Sequence, residues 1–267
     1  MHAGTRTLAV DIGGTWIKAM VLDPAGRPAS AESRTPTPKP ATFRAVMKSL
    51  HELAAGMPPY ARASVGFPGV ILEGRVRTAA NLHPSWIGRA LAPAMRSALG
   101  VETRVANDAD LQGLAIVQGR GVELVLTLGT GVGSALFLDG RLVPNLEMGH
   151  HPFERGRTYE ERLSDRVLHR IGVRRWKERL MRAVATLQRA FNPRRTYLGG
   201  GNARFLKRGL PRGVVAVDNV AGVLGGIYLW DERGARGSRL RLTRAAAPRR
   251  ARSRPASSPA ARAISRS

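Results

Sequence analysis

The sequence contains no cysteine, and this absence removes several classes of protein from consideration. Without cysteine there is no disulfide scaffold, no thiol nucleophile and no cysteine-ligated metal. No apolar run approaches the roughly 18 residues that a membrane helix needs. Residues 1–7 lead into a strand pattern without the apolar region of a signal peptide. We therefore expect a cytoplasmic protein with no membrane partner.

Acidic residues are also scarce, with 19 Asp and Glu against 43 Lys and Arg and a formal net charge of +24. The chain of 267 residues is 43% hydrophobic, so it can bury a core and is not disordered over most of its length.

The positive charge is concentrated in two places. Residues 231–267 hold 11 Arg and two acids among Ala, Ser, Pro and Gly, which predicts a disordered basic tail. This tail is either a passenger extension or an arm for polyanions that binds nucleic acid only non-specifically. Residues 162–195 hold 11 Lys and Arg against two acids, but apolar residues recur there at helical spacing from Trp176 to Phe191. This pattern predicts an amphipathic helix whose arginines face water and suit an anionic partner.

Hydrophobic periodicity predicts alternating strands and helices. The predicted strands are 7–10, 16–22, 64–67, 103–106, 124–128, 134–138 and 195–198. The predicted helices are 43–55, 93–99, 108–118 and 220–230, and 33–40 is interpreted as a Pro/Thr-rich connection.

A weak internal repeat organises these elements. LAVDIGGTWIKAMVLD, residues 8–23, resembles LVLTLGTGVGSALFLDG, residues 124–140, in having a glycine-rich turn with threonine between two apolar strands. Two such halves predict a cleft that grips a phosphate chain from both sides. We expect an N-terminal domain over 1–106 and a C-terminal domain over 107–230, whose final helix packs back on the first domain.

Six motifs occur in an order that resembles ROK-family sugar kinases, and within that family polyphosphate glucokinases. They are DIGGT (11–15), GFPG (66–69), NDAD (107–110), GTGVG (129–133), DGRLVPNLEMGH (139–150) and GGGNA (199–203). The resemblance implies the α/β actin-like ATPase (ribonuclease H-like) fold, with two similar α/β domains around a central cleft.

The first glycine turn suits a phosphoryl donor. Gly13 and Gly14 allow close approach of a phosphate, Thr15 offers a hydroxyl, and Asp11 can hold Mg²⁺ through water, although an ordinary hairpin turn would look similar. No P-loop motif is present. The donor-binding residues that the resemblance implies are Asp11, Gly13, Gly14, Thr15, Lys18, Gly129, Thr130, Gly131, Gly200 and Gly201.

Asn107 and Asp108 follow a strand and open a helix, where either could simply cap the helix. The resemblance makes Asp108 the general base on the attacking sugar hydroxyl and Asn107 a sugar ligand. A carboxylate suits proton abstraction during phosphoryl transfer. Asp110 is expected to face elsewhere.

The resemblance also implies that Glu147 and His150 bind sugar hydroxyls. His151 remains a competitor for the role of His150. A later glutamate is expected to complete the sugar site, and Glu160 is preferred over Glu161.

Two features depart from the wider family. Many ROK proteins carry a cysteine-rich zinc motif after the E-x-G-H segment, and this chain carries no cysteine, so no zinc is expected. Trp16 stands where a smaller residue is expected in polyphosphate-type members, which leaves ATP open as donor.

Trp86, in the segment 81–86, either borders the sugar site or packs in the core.

The implied function is transfer of a phosphoryl group from polyphosphate or ATP to the 6-hydroxyl of glucose, with Mg²⁺, in a homodimer. Another hexose such as mannose remains open as substrate. A DNA-binding regulator is not expected, because the first turn begins at residue 11 and leaves no room for a helix-turn-helix. An inactive binding module is disfavoured by the presence of Asp11, Asp108, Glu147 and His150.

Overall fold

The computed structural model describes residues 4–79, 82–206, 209–217 and 221–230. The strands are β1 (Thr7–Ile12), β2 (Trp16–Leu22), β3 (Ser33–Pro36), β4 (Arg62–Phe67), β5 (Ile71–Leu72), β6 (Arg75–Val76), β7 (Glu102–Asn107), β8 (Val122–Leu128), β9 (Val132–Leu138), β10 (Arg141–Val143), β11 (Pro152–Glu154), β12 (Arg157–Thr158), β13 (Arg195–Gly199) and β14 (Val214–Ala216). The helices are α1 (Phe43–Ala55), α2 (Leu91–Leu99), α3 (Asp108–Ile116), α4 (Tyr159–Leu163), α5 (Asp165–Ile171), α6 (Val173–Phe191) and α7 (Ala221–Leu224), with 3₁₀ turns at Pro84–Trp86, Met148–His150, Gly201–Phe205 and Gly225–Trp230.

Two five-stranded mixed sheets form the body of the protein. Their strand orders are β3-β2-β1-β4-β7 and β10-β9-β8-β13-β14, so each sheet has an antiparallel hairpin followed by parallel strands. The hairpins β1–β2 and β8–β9 occupy the same position in the two sheets, as the internal repeat predicts. The separate hydrophobic core of each sheet is covered by helices, α1 and α2 on the first sheet and α4 and α6 on the second.

The long helix α6 follows from its amphipathic pattern. Trp176, Leu180, Val184 and Leu187 are buried, whereas most of its arginines face solvent. The indole N–H of Trp176 donates to the Leu163 carbonyl at 2.8 Å, which fixes α6 against α4. The predicted amphipathic helix is therefore confirmed.

The segment 33–40 was predicted to be a connection, and this is wrong in part. Residues Ser33–Pro36 form β3, an edge strand paired with β2. Pro36 is compatible with a strand only because β3 is at the edge of the sheet, where one side needs no ladder hydrogen bonds.

The C-terminal helix predicted at 220–230 is a short helix α7 followed by a 3₁₀ turn. This segment packs on the first sheet and on α3: Ser64 Oγ donates to the Gly226 carbonyl at 2.6 Å, and the Trp230 indole N–H donates to Ser64 Oγ at 2.9 Å. The predicted basic tail, 231–267, lies outside the described residues. None of the helices in the described ranges is long and apolar enough to span a bilayer.

Candidate active site

A cleft between the two sheets has a volume of about 230 Å³. All fifteen residues proposed from the sequence as ligands of sugar, donor or metal line this one cleft. They come from the two hairpin turns, the β7–α3 junction, the 3₁₀ turn 148–150, the start of α4 and the end of β13. The contacts of each group show how the sequence places it there.

Asn107 acts as the helix cap and also faces the cleft. Its carbonyl oxygen accepts from the backbone N–H of Ala109 at 2.8 Å and of Asp110 at 3.3 Å, which starts α3. Its amide nitrogen donates to the Glu147 carboxylate at 3.2 Å and to the Gly69 carbonyl at 3.3 Å. The two interpretations of Asn107 are therefore compatible, because different atoms of one side chain serve them.

Asp108 is the first residue of α3, and one of its carboxylate oxygens accepts from the Ala109 N–H at 2.8 Å. The pKa of Asp108 is raised to about 8, first by burial and next by the neighbouring charge of Asp11, while the Ala109 N–H opposes the shift. Glu147 and Asp110 add smaller repulsions. A carboxylate in this setting has a high proton affinity, which is the property a general base requires.

Asp110 does not line the cleft, which agrees with the expectation that it faces elsewhere, but it is not solvated either. It is 4% exposed, and one of its carboxylate oxygens is buried without a hydrogen-bond partner in the described part of the chain. Burial, and next Glu147, raise its pKa to about 7. Asp110 therefore lies near Glu147 but outside the lining of the cleft, and its ionised carboxylate adds negative charge to the site.

Glu147 and His150 are held by a tight turn that docks on β9. Ser134 Oγ donates to the Leu146 carbonyl at 2.6 Å and accepts from the Met148 N–H at 3.0 Å. A Cβ atom at Gly149 would overlap the Val132 carbonyl, so the glycine of E-x-G-H is required by close packing against the second glycine turn.

This turn brings His150 rather than His151 to the cleft. His150 Nε2 is 3.6 Å from a Glu147 carboxylate oxygen, whereas His151 is exposed and does not line the cleft. Burial raises the pKa of Glu147, and His150 opposes that shift.

Glu160 and Glu161 point in different directions although they are adjacent on α4. Glu160 lines the cleft, and its carboxylate accepts from the Val132 N–H at 3.1 Å. Glu161 instead caps α4 through Thr158 and pairs with Arg157 at 2.9 Å on the opposite side. Of the two glutamates, only Glu160 is available to the cleft.

The first glycine turn carries charged side chains. Asp11 and Lys18 are directly opposite each other across β1 and β2. Burial raises the pKa of Asp11, and Lys18 opposes the shift. Thr37 closes the turn by donating its hydroxyl to the Gly13 carbonyl at 2.6 Å. Trp16 is 37% exposed at the cleft, with the Arg34 guanidinium 4.6 Å from the centre of its ring.

The second glycine turn carries no charge and is held by its neighbours. The Gly129 carbonyl accepts from the Asp165 N–H at 2.8 Å, so the start of α5 anchors it. Gly200, at φ +80°, lies so close that a Cβ there would come within 2.5 Å of Leu128 backbone atoms. The residues of this half that are predicted to bind the phosphoryl donor, at the second turn and at Gly200, are therefore brought together by close packing of their backbones.

A divalent cation fits the donor set of this cleft. Magnesium is usually held by one or two carboxylates, together with water and substrate phosphates. Asp11 supplies one carboxylate at the first glycine turn, and no cluster of three or more His, Asp or Glu suited to a metal occurs in the described ranges. Such a site would depend on the phosphates of a bound donor to complete its coordination.

Sequence reasoning missed several lining residues. Gln112 lies four residues after Asp108 on α3 and lines the same cleft, so helical spacing from Asp108 could have found it. Thr78 also lines the cleft, but it follows a two-residue strand and carries no motif. Trp86, in contrast, is fully buried against Phe43 and Phe67, with both ring centroids 5.1 Å away, so core packing accounts for it.

Comparisons with known proteins agree with this architecture. The ROK family model matches residues 7–163. The polyphosphate glucokinase of Mycobacterium leprae is 34% identical over 239 residues, covering 82% of this chain and 73% of that protein. The polyphosphate glucokinase of Mycobacterium tuberculosis (strain ATCC 25618 / H37Rv) is 33% identical over 233 residues, covering 81% and 88% respectively.

Solved structures give the same result. The inorganic polyphosphate/ATP-glucomannokinase from Arthrobacter sp. strain KM superposes with a TM-score of 0.77 at 32% identity, covering 84% of this chain and 97% of that one. A ROK family glucokinase from Streptomyces griseus, in complex with glucose and AMPPNP, has a TM-score of 0.68 at 22% identity and covers 84% and 98%. The fold class predicted from the sequence is confirmed.

Proposed function

The chain belongs to the ROK family, and on that premise we propose that it is a glucokinase that transfers a phosphoryl group from polyphosphate or ATP to the 6-hydroxyl of glucose. The observation that carries the proposal is the meeting of Asp108, the Asn107–Glu147 pair and both glycine turns in one cleft. The names of the relatives that align over most of the chain support the same activity.

The sugar binds against Asn107, Glu147, His150 and Glu160. A carboxylate accepts hydroxyl protons, while an amide N–H₂ donates, so these side chains together satisfy several neighbouring hydroxyls. The hydrogen bond from Asn107 to Glu147 restrains both side chains before the sugar arrives. This pre-organisation holds the attacking 6-hydroxyl beside Asp108.

Asp108 accepts the proton of the 6-hydroxyl as the oxygen attacks the terminal phosphorus of the donor. The bond from that phosphorus to the bridging oxygen breaks, and the shortened phosphate chain or ADP leaves with the electron pair. Backbone N–H groups of the two glycine turns, the Thr15 and Thr130 hydroxyls and Lys18 face the phosphates. Bound Mg²⁺ would neutralise charge on the donor phosphates, and Asp11 is the residue that would hold it through water.

Closure of the cleft completes the proposal. The two halves, 1–106 and 107–230, act as domains that close on the substrates and exclude water, which would otherwise compete with the sugar as acceptor.

We place the enzyme in the cytoplasm, where its phosphorylated product is retained by its charge. A homodimer is also part of the proposal, supported by exposed Leu138 at the end of β9 and exposed Val143 on the edge strand β10, and light scattering would measure it.

The test is a coupled glucose 6-phosphate assay with Mg²⁺, run with ATP and with long-chain polyphosphate. Turnover with polyphosphate is expected, and turnover with ATP alone would reassign the donor. Mannose is a second acceptor to assay, with detection of ADP or phosphate-chain shortening, because the Arthrobacter relative is named a glucomannokinase. No turnover with either sugar or donor would overturn the proposal in favour of a binding protein.

A further inference from the structure

A second cavity, of about 310 Å³, lies beside α4 and α5 and shares no lining residue with the cleft. We call it the arginine pocket, and it is lined by Arg157, Glu161, Arg162, Arg166 and Arg170. Four of its five lining residues are arginines, and none is aromatic or aliphatic. Its occupant must therefore be recognised through charge and hydrogen bonds.

The outer part of the arginine pocket contains two arginines whose guanidinium groups have no hydrogen-bond partner among the described residues. Arg166 and Arg170 are exposed and four residues apart on α5, so their side chains are neighbours on one face. Within the part of the chain that the structure describes, neither of them forms an ion pair or a side-chain hydrogen bond. Arg157 is paired with Glu161 at 2.9 Å, and among the described residues that line the pocket Glu161 is the only acid.

The residues around Arg162, which borders the pocket, are also short of negative charge. Glu154 pairs with both Arg162 and Arg182, at 3.3 Å and 2.7 Å, while Arg179 donates to the Arg162 carbonyl at 3.1 Å. The Nε atoms of Arg162 and Arg179 are buried without a hydrogen-bond partner among the described residues. Burial lowers the pKa of Arg179, and Arg162 is the next cause of that shift. One carboxylate thus pairs with two of these three guanidinium groups, and the third has only a carbonyl as acceptor, which leaves positive charge in excess beside the pocket.

A phosphate chain matches these features. The planar guanidinium fork binds two phosphate oxygens at once, and a row of arginines suits a ligand with repeated phosphates. Single-stranded nucleic acid would instead require aromatic side chains on which its bases stack, and the pocket has none. We propose that the arginine pocket is a second binding site for inorganic polyphosphate, outside the catalytic cleft. This inference rests on the proposed use of polyphosphate as donor.

The position of the pocket connects it with the catalytic cleft. Its helices hold the second glycine turn, because Glu160 accepts from the Val132 N–H and the Asp165 N–H donates to the Gly129 carbonyl. A chain bound to Arg166 contacts the residue directly after Asp165. The helices α4 and α5 therefore bind a long polyphosphate donor on one face and position the second glycine turn with the opposite face.

The test compares two double variants of the full chain. Arg166→Gln/Arg170→Gln removes the two exposed charges of the pocket, and Arg44→Gln/Arg96→Gln removes two exposed charges from α1 and α2 in the first half. For each protein we would measure KM and kcat with long-chain polyphosphate and with tripolyphosphate. We would also measure equilibrium binding of long-chain polyphosphate without glucose, and of a single-stranded DNA oligonucleotide.

Loss of the pocket charges should raise both the KM and the Kd for long-chain polyphosphate about tenfold, which is about 1.4 kcal/mol. The kcat and the KM for tripolyphosphate should not change, because the short donor fits within the cleft. The control should change each value by less than about twofold, since distant exposed charges are screened.

Three results would overturn the inference: unchanged binding of long chains, equal effects on long chains and tripolyphosphate, or equal effects of the two double variants. A matching loss of DNA binding would reassign the pocket to nucleic acid. If the wild type binds long chains through the pocket but does not use them as donor, the proposed donor fails while the site remains. If it uses them without the pocket, only the site fails.

Discussion

The two glycine turns have similar sequences and equivalent places in the two sheets, but they differ in what supports them. The first turn lies between Ile12 and Ile17 and has Asp11 and Lys18 opposite each other at its base. The second lies between Leu128 and Val132 and consists of Gly129, Thr130 and Gly131, with no charged residue.

The two turns also differ in the contacts that hold them in place. The first turn is closed mainly by local contacts, such as the Thr37 hydroxyl on the Gly13 carbonyl. The second is held by distant residues: Glu160, Asp165 and Gly200. The two halves thus share an antiparallel hairpin with a glycine-rich turn. The first turn carries its own acid, Asp11, which lies beside Asp108, whereas the second turn takes its acidic contact from Glu160 and depends on its surroundings for its position.

The largest effect is expected from removal of the acid nearest the proposed chemistry. Asp108→Ala should lower kcat about a thousandfold, because general-base catalysis contributes on the order of 10²–10⁴. Sugar binding, measured by calorimetry, should remain within about tenfold of wild type. Asp110→Asn is the matched control on the same helix and should retain most activity. Turnover by Asp108→Ala above a few per cent of wild type would show that Asp108 is not the base.

A strong pH dependence should also come from this acidic side. Asp108 must be ionised to accept a proton, and its pKa of about 8 means that its carboxyl is mostly protonated in the free enzyme at neutral pH. The value of kcat/KM should therefore fall tenfold per pH unit below about 8, and about a hundredfold by pH 6.

The coupled carboxyls Asp11, Asp110 and Glu147 all raise the pKa of Asp108. Asp110→Asn should consequently move the acid limb of the profile to lower pH. The profile would be measured with saturating Mg²⁺ and a pH-independent detection of glucose 6-phosphate. An acid limb near pH 4 in the wild type would contradict the assignment of the limb to a buried, repelled Asp108.

The elements that depend on local sequence signals could be predicted from the sequence alone. The paired turns, the helix α1 and the amphipathic α6 follow from short-range periodicity, and they are confirmed in the structure. All fifteen proposed site residues line one cleft, and the motifs place each of them at a turn or a helix end within its own half.

What the sequence could not predict depends on long-range contacts. Strand β3 has only four residues, one of them a proline and none of them apolar besides it, so it gives no strand pattern, and it forms where β2 offers a free edge. The divergence of Glu160 and Glu161 likewise requires the Val132 N–H, 28 residues away, and the capping box with Thr158. The arginine pocket combines β12, α4 and α5, so its charges meet only in the folded chain.

The dependence of the second turn on distant packing can be tested at Gly200. Gly200→Ala adds a Cβ that would come within 2.5 Å of the Leu128 backbone, at φ +80°, so unfolding by urea should show a loss of about 2 kcal/mol. Gly201→Ala is the neighbouring control, because its Cβ would meet only Arg204 Nη1, at 3.9 Å. Equal stability of the two variants would mean that the second turn tolerates displacement.

A smaller effect is expected at Glu160, which joins α4 to the second turn. Glu160→Ala removes the acceptor of the Val132 N–H at 3.1 Å, and one lost charge-assisted hydrogen bond should raise the KM for donor or sugar about tenfold. Glu160→Gln keeps an oxygen acceptor and should recover part of that loss. Glu161→Gln breaks an exposed ion pair with Arg157 outside the cleft, so its KM values for glucose and tripolyphosphate should stay within about twofold of wild type.

The pattern of KM values then separates two roles of Glu160. A rise confined to the donor would mean that Glu160 acts by positioning the second turn, because its carboxylate already accepts from that turn in the free protein. A rise confined to glucose would mean that it contacts the sugar, as its place in the cleft beside Glu147 also permits. If Glu160→Ala and Glu161→Gln behaved alike, the second turn would hold its position without α4, and the contrast between the two turns would reduce to their charge.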